Sequence, residues 1–436
     1  MHKSIWTQTC ILPSFSGLSR NEKTDVLIIG GGMAGILTAW YLKQAGVDCL
    51  VVEADTVGGG VTANTTAKIT SQHGLVYGKL LEDLGAELAR AYWLANEDAI
   101  GQFRLLSRQF PCDLEERDHF VYSLDNPGQL EAELEALSKL WIPSEFTREL
   151  PLPMDTVGAV CFPNQAQFHP LKLLSGLSAE LNIREKCRVI RIEKGKAWTD
   201  RGCIRAESII VATHFPILNR RGLYFMKQYQ SRSYVLALSG AQQLPGMYLD
   251  ASGQGLSFRN YGEYLLLGEG GHRTGKPTTG WEPLSAFASA HYPGCREEAR
   301  WAAQDCMTLD QVPYIGRYSP HTPWLYVATG FNKWGMTGSM VAAQLLSRMV
   351  RGKESPWQAV FDPARSIWKK QLAVNLGESA VNLLRPSGPR CPHLGCRLVW
   401  NRVEHSWDCP CHGSRFDAAG EILEDPALRK LQKDRP

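Results

Sequence analysis

The sequence predicts an α/β protein in which two sheet-containing domains alternate along the chain and a small β-rich module follows them. Three observations support this prediction. A glycine-rich turn separates an apolar strand from a helix between residues 24 and 45, strand-like apolar runs recur between residues 188 and 329, and four cysteines fall within residues 391–411. A strand–helix–strand unit is typical of a parallel sheet, whereas consecutive strands indicate a mixed or antiparallel one.

The first element in chain order is a strand–turn–helix–strand unit over residues 24–56. Asp25 to Ile29 is a short apolar strand, residues 30–35 (GGGMAG) fit the pattern G-x-G-x-x-G, and Glu53 ends the second strand. Gly30 permits the tight turn, Gly32 lets the backbone approach a pyrophosphate closely, and Gly35 lets the helix pack on the strand. An acid placed like Glu53 accepts hydrogen bonds from a ribose hydroxyl. The unit predicts a Rossmann-type site for FAD or NAD.

Several further segments resemble a known family. The D-amino acid oxidase and glycine oxidase-like FAD-dependent oxidoreductases are similar to this chain at Asp25–Gly35 with Glu53, Gly58–His73, Ile209–Thr213 and Trp301–Gly338. The resemblance covers nearly all of residues 20–365 and implies that the nucleotide is FAD. It also implies that a further set of residues lies near the flavin or the adenine: Thr65, Thr66, Lys68, Val189, Gly330, Gly335, Met336 and Thr337.

The same resemblance implies how the two domains alternate. A Rossmann-type FAD-binding domain is expected at about residues 20–78, 155–220 and 300–350, and a mixed β-sheet substrate domain at about residues 79–154 and 221–299. Leu, Ala and Glu at helical spacing predict that residues 79–150 are largely helical. Residues 366–385 are predicted to be a connector with one helix, and residues 386–436 the closing module.

Two short loops of that module each present one cysteine and one histidine. The first loop contains Cys391 and His393, and the second contains Cys409 and His412. A Rieske [2Fe–2S] centre uses two thiolates on one iron and two imidazoles on the other. Zinc is the alternative, because two thiolates and two imidazoles also suit a tetrahedral zinc site.

The residues around these loops resemble the Rieske family, with LGC at 394–396 and CPCHGS at 409–414. The resemblance implies that Cys391 and Cys409 bind one iron and that His393 and His412 bind the other. It implies a disulfide between Cys396 and Cys411. The module is expected to be shortened, because the proline-rich run 386–390 stands where such domains have further strands. Ser414 is retained, and Phe416 replaces a tyrosine that donates a hydrogen bond near the cluster in high-potential relatives.

Three residues are candidates to face a substrate. Lys68 lies within the matched segment beside the flavin, and His272 and Arg259 follow in strand-rich sequence. By loose analogy with amino-acid oxidases Arg259 is placed as a carboxylate clamp, a task that suits the bidentate guanidinium. A structural role is the alternative for Arg259 and His272. His73 and Lys333 are further candidates.

Composition narrows the possible partners. The 436 residues are 44% hydrophobic and 21% charged, which excludes a mostly disordered chain, and the formal net charge is only +3. This balance gives no electrostatic reason to expect nucleic acid or an anionic membrane as partner. The longest uncharged stretch, Val26 to Leu42, is too short and glycine-rich for a comfortable membrane span. The first 22 residues lack an apolar signal-peptide core, so a cytoplasmic location is expected.

Together the two resemblances imply an FAD-dependent oxidoreductase that oxidises a C–N bond of a small amine or amino acid. Electrons would pass from the flavin through a [2Fe–2S] cluster to an unknown external acceptor. Two alternatives stay open: an electron-transfer component without an organic substrate of its own, and an oxygen-using oxidase with a structural cluster module. A closed cavity at the flavin favours the enzyme, and an exposed cluster edge without a cavity favours the carrier.

Overall fold

The computed structural model describes residues 3–218 and 221–432. Its helices are α1 (Ile5–Thr9), α2 (Met33–Gln44), α3 (Tyr77–Leu84), α4 (Ala86–Gln109), α5 (Pro127–Lys139), α6 (Pro170–Ser178), α7 (Tyr224–Lys227), α8 (Glu282–His291), α9 (Gly335–Val350), α10 (Gln358–Phe361) and α11 (Lys370–Leu384), with a 3₁₀ turn at Val61–Asn64.

The strands of the described chain form three sheets. They are β1 (Glu22–Ile29), β2 (Cys49–Val52), β3 (Lys68–Ile69), β4 (Glu115–Ser123), β5 (Glu145–Thr147), β6 (Gly158–Gln167), β7 (Ile183–Arg184), β8 (Val189–Glu193), β9 (Lys196–Thr199), β10 (Cys203–Val211), β11 (Gln228–Ser239), β12 (Met247–Asp250), β13 (Leu256–Tyr261), β14 (Tyr264–Glu269), β15 (His272–Arg273), β16 (Arg296–Thr308), β17 (Tyr314–Arg317), β18 (Leu325–Thr329), β19 (Val399–Asn401), β20 (Ser406–Asp408), β21 (Arg415–Phe416) and β22 (Ile422–Glu424).

The first sheet is the Rossmann-type half, and it confirms the predicted fold class. Its strand order is β17-β18-β10-β1-β2-β7, with β9 beside β10 and β8 beside β9. Strands β1, β2, β7, β10 and β18 are parallel, and the second half of β1, residues 26–29, is a buried apolar run because it is covered on both faces. Helices α2 and α9 pack against each other next to this sheet.

The second sheet is mixed and has ten strands, in the order β15-β11-β14-β13-β12-β4-β6-β3, with β16 beside β11 and β5 beside β6. The structure differs here from the sequence-based division. Helices α4 and α5 account for the helical spacing in residues 79–150, but β4 lies between them. Strand β6 and most of β16 fall in parts assigned to the FAD-binding domain, yet they pair in this sheet. Their pairing partners are distant in sequence, so local spacing did not reveal them.

The third sheet is the small β-rich module, with the antiparallel order β19-β20-β21-β22. Its core consists of four cysteines with Leu398, Phe416 and Ala427. Between residues 351 and 390 the structure places α10 and α11 where a larger module would have strands. None of the described helices is both long and apolar enough to cross a membrane.

Candidate functional site

The glycine turn between β1 and α2 is held by its own packing. A Cβ on Gly30 would lie 2.4 Å from the carbonyl oxygen of Ala212, and one on Gly35 would lie 1.9 Å from that of Gly30. Gly32 differs, because the nearest atom to a Cβ there is Thr62 Oγ1 at 3.4 Å. The turn therefore leaves open space at Gly32, directly at the N-terminus of α2, which is the place that a pyrophosphate occupies in such a fold.

Glu53 closes this turn from the side of β2. Its Oε2 accepts a hydrogen bond from the backbone N–H of Gly31 at 2.7 Å, and its Oε1 accepts one from Asp55 at 2.8 Å. Burial raises the pKa of Glu53, and these two hydrogen bonds oppose the shift. The carboxylate thus fixes the position of the glycine turn. Val189, the predicted adenine neighbour, is buried in the core beside the first sheet.

A cavity of about 910 Å³ lies against the ten-stranded sheet. One wall holds Thr65, Thr66 and Lys68, and another is the loop 332–334 that precedes α9. The floor is the ten-stranded sheet, from which β11 and β16 contribute alternate residues. The cavity therefore brings together residues 65–68 and the loop between Gly330 and Gly335, which the sequence analysis placed near the flavin. Part of its floor comes from β11, a strand in which the sequence showed no motif.

The loop before α9 has an unusual backbone. Asn332 and Lys333 both have positive φ, 51° and 72°, which non-glycine residues rarely adopt. The side chain of Asn332 holds this conformation: its Oδ1 accepts from the backbone N–H of Thr308 at 2.8 Å, and its Nδ2 donates to the carbonyl of Gly330 at 2.7 Å. Gly330 has φ +71°, and a Cβ there would lie 2.3 Å from Thr308 Cγ2.

Helix α9 begins at Gly335 with no side-chain cap at its N-terminus. Its first-turn N–H groups and the positive end of its dipole therefore stay available beside the cavity. Met336 and Thr337 are buried in this first turn, and Thr337 Oγ1 donates to the carbonyl of Thr70 at 3.2 Å. Sequence reasoning predicted this arrangement of glycine turn and helix start.

Lys68 is a buried lysine in the cavity wall. Its Nζ donates to the carbonyl oxygen of Tyr248 at 3.1 Å, and no described carboxylate lies within salt-bridge distance of it. Burial lowers the pKa of Lys68 to about 7, and the positive charge of Arg259 contributes to the same shift. Near neutral pH this side chain can therefore exchange a proton with a bound molecule.

Arg259 does not act as the predicted carboxylate clamp. Its guanidinium is buried away from the cavity and donates to the carbonyls of Thr66 and Ala67, at 2.7 and 2.8 Å, while Nε donates to the carbonyl of Asn260. The sequence around Arg259 indicated that it lies in a strand. It could not indicate that the guanidinium donates to backbone carbonyls of a segment far away in the chain. Arg259 is a positioning residue that fixes the segment containing Thr65 to Lys68.

His272 and His73 both line the cavity. His272 stacks on Tyr234 with ring centroids 5.9 Å apart, and burial followed by the charge of Arg232 lowers its pKa. His73 bonds through Nδ1 to the Tyr92 hydroxyl at 2.6 Å and stacks on Trp334. Burial lowers the pKa of His73 to about 3, so this imidazole is neutral in the folded protein.

Sequence reasoning missed the acidic residues and one arginine of the cavity. Asp305 on β16, Glu269 at the end of β14 and Arg273 on β15 all line the cavity. Burial lowers the pKa of Lys333, and the negative charges of Asp305 and Glu269 oppose that shift. No motif marks these residues, since each comes from a separate strand. Only the alternation of strand residues between two faces could have suggested Asp305.

The four cysteines of the closing module gather around Cys409. The Sγ atoms of Cys396, Cys409 and Cys411 lie within 4.8 Å of one another, and the Cys391 thiol is hydrogen-bonded with that of Cys409. These neighbouring thiols hold the pKa of Cys409 well below its usual value. Cys396 and Cys411 are both thiols in the structure, so their disulfide stays a prediction.

The two histidines of the module lie beside this group. The ring centroids of His393 and His412 are 4.9 Å apart with the planes nearly perpendicular. Burial lowers the pKa of both imidazoles, which favours the neutral form that metals bind. Two buried thiols and two neutral imidazoles brought together by two short loops fit the donor set of a [2Fe–2S] centre of the mixed type.

The module sits on the back of the cavity floor. Arg273 Nε donates to the carbonyl of Pro410 at 2.9 Å and Nη2 to that of Cys411 at 3.1 Å, and Gln304 Nε2 donates to that of Gly413 at 2.9 Å. The rings of Phe215 and Phe225 pack against the two imidazoles. The ring centroid of Phe215 lies 6.3 Å from that of His393 and 6.2 Å from that of His412, and the centroid of Phe225 lies 6.1 Å from that of His412.

Comparison with solved structures agrees with this architecture. Glycine oxidase from Geobacillus kaustophilus superimposes with a TM-score of 0.67 at 18% identity, over 79% of this chain and 100% of that one. L-proline dehydrogenase from P. horikoshii gives 0.65 at 17% identity, over 79% and 98%. At these identities the similarity establishes the fold alone.

Comparison of sequences reaches further. YhfW of Bacillus subtilis, which carries the name Rieske 2Fe-2S iron-sulfur protein, is 35% identical over 99% of this chain and 97% of its own length. Cytochrome b6-f complex iron-sulfur subunit 2 of Trichormus variabilis is 52% identical over 42 residues, which are 10% of this chain and 24% of that subunit.

Two family models match the chain one after the other. The model described as FAD dependent oxidoreductase matches residues 25–349, and the model described as Rieske [2Fe-2S] domain matches residues 358–434. The open space at Gly32 and the donor set around Cys409 fit the cofactors of these two families. The chain therefore belongs to the FAD-dependent oxidoreductases, carries a Rieske domain at its C-terminal end, and uses FAD and a [2Fe–2S] cluster as its cofactors.

Proposed function

We propose that this protein oxidises a C–N bond of a small amine or amino acid and passes the electrons through the cluster to an external acceptor. Bound FAD supplies a two-electron acceptor and the cluster a one-electron carrier. The observation that carries the proposal is the position of Arg273. Its side chain lines the cavity and at the same time donates to the carbonyls of Pro410 and Cys411, which lie between Cys409 and His412 in the chain.

Strand alternation supports a short path between the two cofactor sites. On β11, Tyr229, Ser231 and Ser233 line the cavity, whereas Gln230 and Arg232 point to the opposite face. A Cβ on Gly413 would lie 2.4 Å from Gln230 Cγ, so the second cluster loop touches that opposite face directly. A single sheet layer thus separates the cavity from the cluster loops.

The charges of the cavity favour an amine substrate. Glu269 Oε2 is buried and has no hydrogen-bond partner among the described residues. Burial raises the pKa of Glu269, and the charge of Lys333 opposes that shift. A buried carboxylate oxygen without a donor is costly, and a substrate ammonium group would satisfy it. Lys68 and Lys333 offer donors to a carboxylate if the substrate is an amino acid.

We also propose which residues hold the cluster. Cys391 and Cys409 would bind one iron, and His393 and His412 the other. Cys396 and Cys411 would support the loops from outside the cluster. The thiols and imidazoles described above support this assignment, because they lie at the ends of the same two loops.

An anaerobic screen of amines and amino acids tests the proposal with two readouts. Bleaching of the flavin absorbance reports oxidation of the compound, and the EPR signal of the reduced cluster reports onward transfer. A compound that produces both supports the proposal. Bleaching without any cluster signal, followed by rapid reoxidation in air, would favour the oxygen-using oxidase. A protein that no compound bleaches, but that a redox partner reduces, would favour the electron-transfer component.

The pKa of Lys68 predicts how the rate of flavin reduction depends on pH. A substrate ammonium must lose a proton before its C–N bond can be oxidised, and Lys68 accepts that proton only when neutral. Because its pKa is lowered to about 7, the rate should fall about tenfold per pH unit below that value. Lys68→Met should remove this dependence.

The control for Lys68 is a second buried lysine. Lys227 has a pKa lowered to about 8, but it donates to the carbonyl of Pro363 and lies outside the cavity. Lys227→Met should keep the pH dependence that Lys68→Met loses. An unchanged pH profile in Lys68→Met would exclude Lys68 as the proton acceptor.

Ser414 is predicted to raise the reduction potential of the cluster. Its hydroxyl hydrogen-bonds with the Cys391 thiol, and this bond opposes the rise in the pKa of that thiol that the neighbouring Cys409 thiol and burial cause. Ser414 Oγ accepts from the backbone N–H of Ala427 at 3.0 Å. A hydrogen bond to a ligand sulfur stabilises the added electron. Ser414→Ala should therefore lower the potential by roughly 60–130 mV.

A redox titration followed by EPR measures this shift. Ser387→Ala, which changes an exposed serine ahead of the first cluster loop, is the matched control. Phe416→Tyr should raise the potential, because the added hydroxyl can donate a hydrogen bond near the cluster. A Ser414→Ala protein with the potential of the wild type would contradict the assigned role of this hydroxyl.

A further inference from the structure

Helix α11 buries polar side chains and exposes apolar ones, which is the reverse of the arrangement expected for a helix at a protein surface. Its buried residues include Asn375 and Asn382, and Asn375 Oδ1 accepts from Arg273 Nη1 at 3.0 Å. An exposed lysine, Lys370, opens the helix, and the exposed positions after it are apolar: Ala373, Val374, Leu376, Gly377, Ala380, Val381, Leu383 and Leu384. Surface helices normally place the apolar stripe inward. The fold of the described chain uses the polar side of α11 and leaves the apolar side uncovered.

The exposed apolar face extends beyond both ends of the helix. Trp368, just before α11, is 84% exposed, and Leu384 at the last turn is 82% exposed. Leu394 in the first cluster loop is also exposed, and the neighbouring Gly395 approaches Leu383. At the opposite end Val374 lines the mouth of the cavity. The face therefore runs continuously from the cavity mouth to the cluster loop.

The charges around this face are positive, in contrast to the nearly neutral chain. Residues 366–397 contain five basic side chains and a single acidic one: Lys369, Lys370, Arg385, Arg390, Arg397 and Glu378. Lys369 is paired with Asp83 at 2.8 Å, and Glu378 is paired with Lys276 at 2.6 Å. The basic residues that have no carboxylate partner in the described part of the chain are Lys370, Arg385, Arg390 and Arg397. Arg390 donates to the carbonyl of Leu383 at the end of α11 and to that of Gly395 in the first cluster loop, so it adds positive charge there without a carboxylate partner among the described residues.

We propose that this face docks on an anionic lipid bilayer, with α11 lying in the plane of the membrane surface. An exposed apolar stripe, a tryptophan at its edge and basic residues at both ends are the features by which helices bind at a lipid interface. A second copy of this chain would bring the same positive charges together, which disfavours self-association through the face. Docking would place the cavity mouth and the first cluster loop next to the lipid.

Co-sedimentation of the full-length holoprotein with vesicles tests the proposal. The wild type should bind vesicles of phosphatidylcholine with phosphatidylglycerol and bind much less to phosphatidylcholine alone. Val381→Glu together with Leu384→Glu should lower the vesicle affinity about tenfold or more, because two carboxylates replace apolar contacts on an anionic surface. Leu105→Glu is the control, since Leu105 on α4 is 54% exposed and Val381 is 52% exposed.

Three outcomes would overturn the proposal. The wild type could fail to sediment with either vesicle, or Leu105→Glu could weaken binding as much as the α11 variant does. The wild type could also form a dimer that Val381→Glu dissociates while showing no affinity for vesicles, in which case the face binds a second copy. Circular dichroism and cofactor content of each variant establish that the fold is retained.

Discussion

Gly32→Val should give a folded protein that contains no FAD. Gly32 has φ −78° and ψ −177°, an extended backbone that any residue adopts, and a Cβ there meets Thr62 Oγ1 at an ordinary 3.4 Å. The protein alone therefore accommodates valine. The branched side chain would occupy the space at the N-terminus of α2 that the pyrophosphate needs. We expect the Kd for FAD to rise more than about 100-fold.

The measurements are FAD released on denaturation, circular dichroism and urea unfolding. Gly101→Ala is the matched control: Gly101 lies within α4 with open space around its Cβ position, so FAD content should not change and stability should rise by about 0.5–1 kcal/mol. Gly35→Ala should destabilise the fold itself, because its Cβ would lie 1.9 Å from the oxygen of Gly30. Full FAD content in Gly32→Val would show that the pyrophosphate lies elsewhere.

Sequence reasoning succeeded where the chemistry is local. The glycines of residues 30–35 with Glu53, the residues along the cavity from Thr65 to Lys68, and the cysteines and histidines of the two cluster loops are each close together in the chain. A turn, a helix start or a short loop needs particular residue types at fixed spacing, so these sites leave a pattern in the sequence. In the structure Gly32 lies at the N-terminus of α2, Thr65, Thr66 and Lys68 line the cavity, and the cysteines and histidines of the two loops come together.

Sequence reasoning failed where residues meet only through strand pairing. Arg259 has the side chain that a carboxylate clamp needs, but the carbonyls of Thr66 and Ala67 use its donors. Arg273 carried no motif, yet it joins the cavity to the cluster loops. Helix α11 was predicted as part of a connector, and its inverted polarity is visible only when its packed side is known. Pairing register and the facing of side chains decide such contacts, and neither is encoded locally.

The attachment of the Rieske domain rests on a buried group of charges. Arg232 on β11 pairs with Glu404 and, at 3.0 Å, with Glu424 of the domain, while Arg415 within the domain pairs with Glu404 and with Asp408 at 2.9 Å. Burial alone would raise the pKa of Glu404, but the two arginines hold it at about 2. Removing one partner of such a group leaves a buried charge uncompensated.

Arg232→Met should therefore destabilise the docked domain by about 3–5 kcal/mol. Because the pKa of Glu404 is lowered in the folded state, its contribution is present above pH 4.5 and is lost as the pH falls towards 2. Without Arg232 this pKa rises, and acid unfolding should begin at a higher pH. Urea and acid titrations followed by the visible absorbance of the cluster measure both effects.

Two further variants test whether the loss of stability in Arg232→Met comes from leaving a buried charge unpaired or from the loss of any ion pair. Arg300→Met removes a solvent-accessible partner of Glu297 and should cost less than about 1 kcal/mol. Adding Glu404→Gln to Arg232→Met should recover part of the loss, because the amide carries no charge that requires compensation, whereas Arg415 keeps Asp408 as its partner. If Arg232→Met costs no more than Arg300→Met, the buried charges do not hold the Rieske domain against the sheet, and the hydrogen bonds of Arg273 and Gln304 must do so instead.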